Sequence, residues 1–312
     1  MGTSSPSRIV AWCLTCALTL PALAKEPADL LDGPPVVSAK AWAIVDGKTG
    51  ELLFGKDEDV PAKAASTAKM MNAWVVLRLA EQDPRVMDEV VTVSKVAGTT
   101  TGSTAGLKEG ERVSVRECLY GLLLPSGNDA GNALAEHFND RFRPLVAGEL
   151  KIKLELPKSP RSNFIAEMNR EAQRLGMTKT AYRSAFGDGA GDLPTATPRD
   201  LLTLARTAMQ DERFRRYVST AEYSGKVVKA DGTERVAKWE NTNLLLKTEG
   251  FDGVKTGTTT AAGSCLVSSN RRGDDHLLCV VLGSGANPGR FVDTRNLLRW
   301  AWAERAKRKV GG

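Results

Sequence analysis

The sequence predicts a mixed α/β (α+β) fold: an antiparallel sheet built from both chain ends and flanked by helices, with a helical subdomain inserted between its halves. Three observations carry this. Hairpin patterns stand near each end of the chain, at 36–54 and 264–283. Helical periodicity fills the middle. A last amphipathic stretch closes the chain at 288–307. Strands separated by a block of helices must find each other across the chain, so the two ends share one sheet. The 312 residues, 42% hydrophobic with 29 Gly and 14 Pro, suffice for one large or two modest domains.

The first element is a leader. Arg8 precedes an apolar run from Ile9 to Leu23, and Ala22-Leu23-Ala24 is a small-x-small cleavage signal before Lys25. This pattern predicts a secretory signal peptide over 1–24. The run is interrupted by Pro21 and falls short of the roughly 20 apolar residues a membrane span needs. Residues 25–36, with Pro27, Pro34 and Pro35, read as a linker. The remaining 37–312 are expected to form the functional domain, without a further C-terminal β domain.

Val36–Ile44, the turn Asp46-Gly47-Lys48-Thr49-Gly50 and Glu51–Phe54 predict a strand, a tight turn and a strand. A helix follows from Ser66 to about Arg78, with Ser66 at its N-cap or first turn. Val90–Val93 reads as a short strand, and the Gly, Thr and Ser of 97–106 as loop. Val115, Leu119, Leu122 and Leu123 lie at helical spacing and stop at Pro125. A second helix is expected from Asp129 to Asn139. Residues 140–161, with six basic residues and with Pro157 and Pro160, read as a surface excursion whose 150–156 alternation predicts a small strand. Phe164–Leu175 is a helix ended by Gly176. Another is primed by Thr197-Pro198 and runs to Met209. Strands 264–269 and 277–283 flank the turn 270–274, and the helix 288–307 packs an apolar stripe containing Phe291, Leu298 and Ala301.

Formal charge is +6, with the basic residues scattered apart from Arg305-Ala306-Lys307-Arg308-Lys309. That is mild surface charge, and it gives no basis for a nucleic-acid partner. Of five cysteines, Cys13 and Cys16 belong to the leader. Cys118, Cys265 and Cys279 read as buried thiols, although a Cys265–Cys279 bridge is conceivable in an exported protein. Only two histidines exist, His137 and His276, and both read as structural. Ser-His-Asp and metal chemistry are therefore not expected, and neither is a cofactor.

Three short patterns carry the chemistry. Ser66 and Lys69 lie three residues apart, one helical turn on one face, so a hydroxyl and an amine meet. Burial of such a lysine would make the neutral amine accessible, and a neutral amine beside a serine is a nucleophile with its base. Leu124-Pro125-Ser126-Gly127-Asn128-Asp129 is a turn between two helices that can present a hydroxyl and an amide. Gly253-Val254-Lys255-Thr256-Gly257-Thr258 reads as a strand with a cation, a hydroxyl and a glycine that allows close approach.

In the order S-x-x-K, S-x-N, K-T-G these resemble the signature of β-lactamases and penicillin-binding proteins. The closer resemblance is to the D-alanyl-D-alanine carboxypeptidases, over about Val36–Trp302. It is carried further by Leu175-Gly176-Met177, Asn241-Thr242-Asn243 and Asp252–Thr259. The resemblance implies a β-lactamase/transpeptidase-like fold. It implies a serine-type carboxypeptidase acting on peptidoglycan peptides ending in D-Ala-D-Ala, with β-lactams as covalent inhibitors. The protein would be exported, periplasmic or cell-wall associated, without a stable membrane anchor. Cleavage of peptidoglycan cross-links, or non-hydrolytic binding on the same fold, are the alternatives.

Chemistry and resemblance assign the same roles. Ser66 attacks, Lys69 takes its proton, Ser126 relays a proton to the leaving nitrogen, and Asn128 positions Lys69 and the peptide. Lys255, Thr256, Gly257 and Thr258 line the substrate, with the N–H groups of Ser66 and Thr258 as oxyanion donors. Arg290 matches a family arginine that binds the terminal carboxylate. Three features depart from the pattern. Gly127 stands where β-lactamases carry Asp, Phe186-Gly187-Asp188-Gly189 replaces the family's Asn-Pro-His-Gly-Leu stretch, and the E-x-x-L-N glutamate of β-lactamases is missing.

Overall fold

Trp42 and Ile44 face one way along β1 (Ala41–Asp46), Ala43 and Val45 the other, and all four are buried. A strand buried on both faces must lie inside a sheet covered on both sides. Together β1, β2 (Leu52–Lys56), β9 (Phe251–Thr259), β10 (Gly263–Arg272) and β11 (Asp275–Ser284) form a five-stranded antiparallel sheet of order β2-β1-β11-β10-β9. The computed structural model describes residues 1–2, 33–156, 158–187, 195–286 and 288–310. Nearly all of the predicted 1–24 leader and most of the 25–36 linker lie outside the described residues. The account below concerns the compact unit Pro34–Gly312.

One face of the sheet is covered by α8 (Gly289–Val310), whose Phe291, Leu297, Leu298, Ala301 and Trp302 pack on Ile44, Leu277 and Val281. Each large side chain so buried contributes about 1.5–3 kcal/mol. Two polar ties fix the helix. Asp293 accepts from Ser38 N (3.0 Å) and Ser38 Oγ (2.7 Å), and Arg305 donates to Asp46 at 2.6 Å.

The other face carries α1 (Lys69–Gln82) and α6 (Pro198–Ala208). Met70, Met71 and Val76 are fully buried in the same cluster as Val45, Val267, Leu278 and Val280. Helix α7 (Glu212–Ser219) packs on β9, and α2 (Lys95–Gly98), α3 (Val115–Leu123), α4 (Asn128–Phe138) and α5 (Ser162–Arg174) complete the helical region. A second sheet, of order β4-β5-β7-β8, joins β4 (Val90–Thr92), β5 (Arg112–Ser114), β7 (Glu222–Val228) and β8 (Glu234–Glu240). Two residues each of β3 (Ala62–Lys63) and β6 (Thr195–Ala196) make a third pairing.

The boundaries follow local chemistry. Ser114 caps α3 by accepting from Glu117 N, and Thr197 caps α6 through Asp200 N, with Pro198 in its first turn. After α5, Gly176 takes φ +77° while its N–H reaches Gln173 O and that of Met177 reaches Ala172 O. That is the Schellman pattern, and it needs a residue without a Cβ strain penalty.

Three expectations are corrected. Ser66 is not the N-cap of α1; it lies in a 3₁₀ turn, Ala65–Ala68, that feeds into the helix. Residues 150–156 alternate in burial but pair with no strand, since their neighbours are side chains of α5 rather than another backbone edge. The 97–106 loop begins inside the short helix α2, capped by Ser94. The reading of Cys118, Cys265 and Cys279 as buried thiols holds, since all three are free and buried, and the conceivable Cys265–Cys279 bridge is not formed: Cys279 pairs in register with Ser268.

Candidate active site

Ser66 and Lys69 meet where the 3₁₀ turn passes into α1. Lys69 Nζ donates to Ser66 Oγ at 2.8 Å, to Asn128 Oδ1 at 2.7 Å and to Phe186 O at 3.1 Å. Lys69 is fully buried and Ser66 8% exposed, so the hydroxyl reaches the surface while the amine does not. A 3₁₀ turn brings residues i and i+3 into line, which shortens the reach from Lys69 back to Ser66. Ala65, just before the serine, sits at φ +48°, a strained conformation for a residue with a Cβ. It turns the chain from β3 into the catalytic turn.

Asn128 is held from behind. Its Nδ2 donates to Thr101 O at 2.8 Å and its N–H to Ser103 O at 2.8 Å. With Nδ2 committed to the loop, Oδ1 is left for Lys69. Asp129, the next residue, is buried and accepts from Thr104 Oγ1 and from the N–H groups of Ala105 and Leu107. The 101–107 loop is thus laid against the start of α4. That explains Gly127: a Cβ there would lie 2.6 Å from Asp129 Oδ1 and 2.8 Å from both Ala105 N and Ala105 Cβ. Ser126 takes φ +66°, and among the described residues its buried Oγ has no hydrogen-bond partner. A buried, unpaired hydroxyl is costly unless something else fills its valence.

β9 is the edge strand of the five-stranded sheet and borders the catalytic turn. A Cβ on Gly257 would lie 3.0 Å from both Ala64 O and Ser66 N, so only glycine lets the strand approach this closely. Lys255 is buried and donates to Thr256 O at 3.1 Å. Burial, with the Arg290 cation nearby, pulls its pKa down to about 7. Thr256 Oγ1 lies 2.6 Å from Thr242 Oγ1, and Thr242 N–H reaches Leu124 O at 3.1 Å. Asn243 donates to Gly253 O at 3.0 Å. The Asn241–Asn243 stretch therefore joins β9 to the turn that carries Ser126.

Arg290 comes from the first turn of α8 and is 8% exposed. Its Nη1 donates to Thr258 Oγ1 at 2.7 Å, Gly257 O at 2.8 Å and Cys265 O at 3.3 Å. Burial lowers its pKa from the ordinary arginine value. Thr258 accepts from Arg290, which leaves the threonine O–H free to donate.

Eight of the nine predicted residues thus fall into two groups. Ser66, Lys69 and Asn128 form one hydrogen-bonded cluster. Lys255, Thr256, Gly257, Thr258 and Arg290 form the β9 wall, and the Ser126 hydroxyl bonds to neither among the described residues. The sequence reading missed Phe186, Thr101, Ala65 and the Thr242–Thr256 contact. The first two act through backbone carbonyls, which leave no residue-type signature. The stretch from Asp188 onward, whose departure from the family pattern was noted, lies outside the described residues up to 194.

The histidines are elsewhere. His137 bonds Glu89 at 2.9 Å. His276 bonds Ser269 Oγ at 2.8 Å, and Ser269 in turn donates to Asp252. This is not a catalytic triad, because the carboxylate holds the serine rather than the imidazole and Ser269 is fully buried. Among the described residues no cluster of His, Cys, Asp or Glu is suited to a metal ion.

The chain as a whole is similar to known proteins. A family model described as D-alanyl-D-alanine carboxypeptidase matches residues 29–145 and 158–286. A D-alanyl-D-alanine carboxypeptidase of Streptomyces sp. (strain K15) is 34% identical over 90% of this chain and 92% of its own length. The enzyme DacD of Salmonella typhimurium is 32% identical over 90% of this chain and 67% of its own length. The crystal structure of the Streptomyces K15 DD-transpeptidase superposes with a TM-score of 0.76 at 34% identity, covering 87% of this chain and 99% of that one. Penicillin-binding protein D2 of Listeria monocytogenes, in an ampicillin-bound form, gives 0.68 at 27% identity over 85% and 98% of the two chains.

Proposed function

This chain belongs to the D-alanyl-D-alanine carboxypeptidase family, and from that premise we propose how its residues carry out the reaction. It is a serine-type carboxypeptidase, acting on peptidoglycan stem peptides through an acyl-enzyme and open to acylation by β-lactams. Ser66 Oγ attacks the carbonyl carbon of the penultimate D-alanine, and its proton passes to Lys69 Nζ. The tetrahedral oxyanion is held by the N–H groups of Ser66 and Thr258, each worth on the order of 3 kcal/mol. The C–N bond then breaks, and the departing nitrogen takes a proton by way of Ser126. Water completes the cycle by releasing the acyl group from Ser66.

The observation that carries this reading is the 2.8 Å bond between Lys69 Nζ and Ser66 Oγ, with Asn128 Oδ1 fixing the same amine at 2.7 Å. A nucleophile, its base and a group that orients the base are the parts such a reaction needs. The substrate's terminal carboxylate is received on the β9 wall. Lys255 supplies a point charge, and Thr258 supplies a hydroxyl oriented by Arg290. Arg290 thereby serves the carboxylate partly through the threonine. The 1–24 leader supports export to the periplasm or cell wall. Among the described residues no helix is long and apolar enough to cross a membrane.

The test is digestion of purified muropeptides followed by mass analysis. Loss of a single terminal alanine from pentapeptides is expected, together with covalent labelling by a fluorescent penicillin that Ser66→Ala abolishes. Cleavage confined to cross-linked dimers would make the protein an endopeptidase instead. Labelling without turnover of either substrate would make it a binding protein.

A further inference from the structure

Residues 146–157 fall between the two stretches that the family model matches. Around them the chain builds a feature the reaction does not use. Residues from 139–156 and 158–163 enclose an open groove of about 980 Å³. Its floor is aliphatic: Leu145, Ile152, Leu154 and Leu156 are each only half-buried, and Val146 is 59% exposed. The segment is held in place by α5. Lys151 N–H donates to Gln173 Oε1 at 2.8 Å, Gln173 Nε2 to Glu149 O at 3.3 Å, and Arg170 Nη2 to the carbonyls of Arg143 and Pro144.

The cations of this region divide cleanly. Arg141 pairs with Glu89, Arg143 and Arg170 with Glu149, and Arg161 with Glu136. Lys151, Lys153 and Lys158 line the groove, are exposed, and have no ion-pair partner among the described residues. The arginines build the excursion, and the lysines are left to face something outside it.

We propose that this groove is a peripheral docking site for an anionic phospholipid surface. The aliphatic floor meets the acyl-chain boundary, and the three lysines meet the headgroup phosphates. Alternation along 151–156 places Lys151, Lys153 and Glu155 outward and Ile152, Leu154 and Leu156 inward, so with Lys158 the rim carries three cations against one anion. A charged rim over an apolar floor is the profile of an element that lies in a membrane interface. Lysines on flexible stems suit a diffuse phosphate layer better than one fixed carboxylate, for which an arginine fork is the better match. An acidic peptide of the cell wall would satisfy the lysines but would leave the floor uncovered. Such docking is electrostatic and reversible, so it differs from an anchor.

The test is co-sedimentation of the purified full chain with vesicles of phosphatidylcholine alone and of phosphatidylcholine mixed with phosphatidylglycerol, at low and high salt. Binding to the anionic vesicles only, lost at high salt, is expected. Lys151→Gln/Lys153→Gln/Lys158→Gln should weaken it roughly tenfold or more, since each lysine near an anionic surface contributes to binding. Ile152→Ser/Leu154→Ser should weaken it as well. Both variants should keep the wild-type rate of penicillin acylation, which verifies their fold. Equal binding to both vesicle types, or anionic binding that the lysine substitutions leave unchanged, would overturn the proposal. So would lysine-dependent binding to purified sacculi without vesicle binding, which would assign the groove to an acidic wall peptide.

Discussion

The hydroxyls of Thr242 and Thr256 lie 2.6 Å apart, and through Leu124 O the same Thr242 holds the turn that carries Ser126. The Ser126 turn and the Lys255 strand, about 130 residues apart in sequence, are thereby set at a fixed separation. Thr242→Val keeps the shape and removes the hydroxyl, leaving Thr256 Oγ1 without that partner. The expected result is a loss of about 1–1.5 kcal/mol in transition-state stabilisation, close to tenfold in acylation rate. The melting temperature should move little, and Thr242→Ser should restore most of the rate.

Gly127 is enclosed by the 101–107 loop, with backbone N of Ala105 only 2.8 Å from where a Cβ would stand. Gly127→Ala should cost about 1–3 kcal/mol, the usual range for overpacking. Thermal unfolding and penicillin labelling should fall together, because the loop that would be pushed away also holds Asn128. An unchanged melting temperature would mean that the loop yields freely.

The Lys255 ammonium is disfavoured by burial and by Arg290, so its pKa is about 7 instead of the usual 10.5. As pH rises through 7 the free enzyme loses this cation and with it part of its hold on a carboxylate. The second-order rate of acylation should therefore decline on the basic side with an apparent pKa near 7. Lys255→Arg stays charged and should carry that decline to higher pH. A pH profile identical in the variant would assign the limb to another group.

His276 is buried against Ser269, and burial first, then Arg271, lowers its pKa to about 4 from 6.5. A histidine kept neutral by the fold is charged more readily in the unfolded chain. The unfolded state then takes up the extra proton, and stability is lost as pH falls from about 6.5 towards 4. His276→Gln should flatten the fall of the melting temperature over that window while leaving the value at neutral pH within a few degrees. Calorimetry or circular dichroism melts across the window provide the check.

Much of this architecture is written in local patterns. Ser66 and Lys69 are legible because a three-residue spacing means the same thing in a 3₁₀ turn as in an α-helix. The β10–β11 hairpin is legible because both strands are long and apolar around a Gly-Asp turn. The second sheet is not, because β4 and β5 are three residues each and the strand that joins them to the rest, β7, comes from beyond residue 220. Helix α7 is missed because its sequence, ERFRRYVS, is mostly charged and only Phe214, Tyr217 and Val218 are buried. The 150–156 alternation misleads because a period of two marks a chain with one covered side, whether or not another strand lies beside it. Contacts such as Lys69 to Phe186 O depend on where a carbonyl arrives, and no residue type announces that.

The pairing of β1 with β11 has a temporal meaning. Ser66 lies near the start of the chain, but its neighbour β9 is held by β10, β10 by β11, and β11 by β1. A chain emerging from its N-terminus has the nucleophile long before the wall that would serve it. Pairings this distant in sequence form slowly and late. Until residues up to 284 are available to close the sheet, the β9 wall beside Ser66 has nothing to hold it, so an unfinished chain carries the serine without its surroundings.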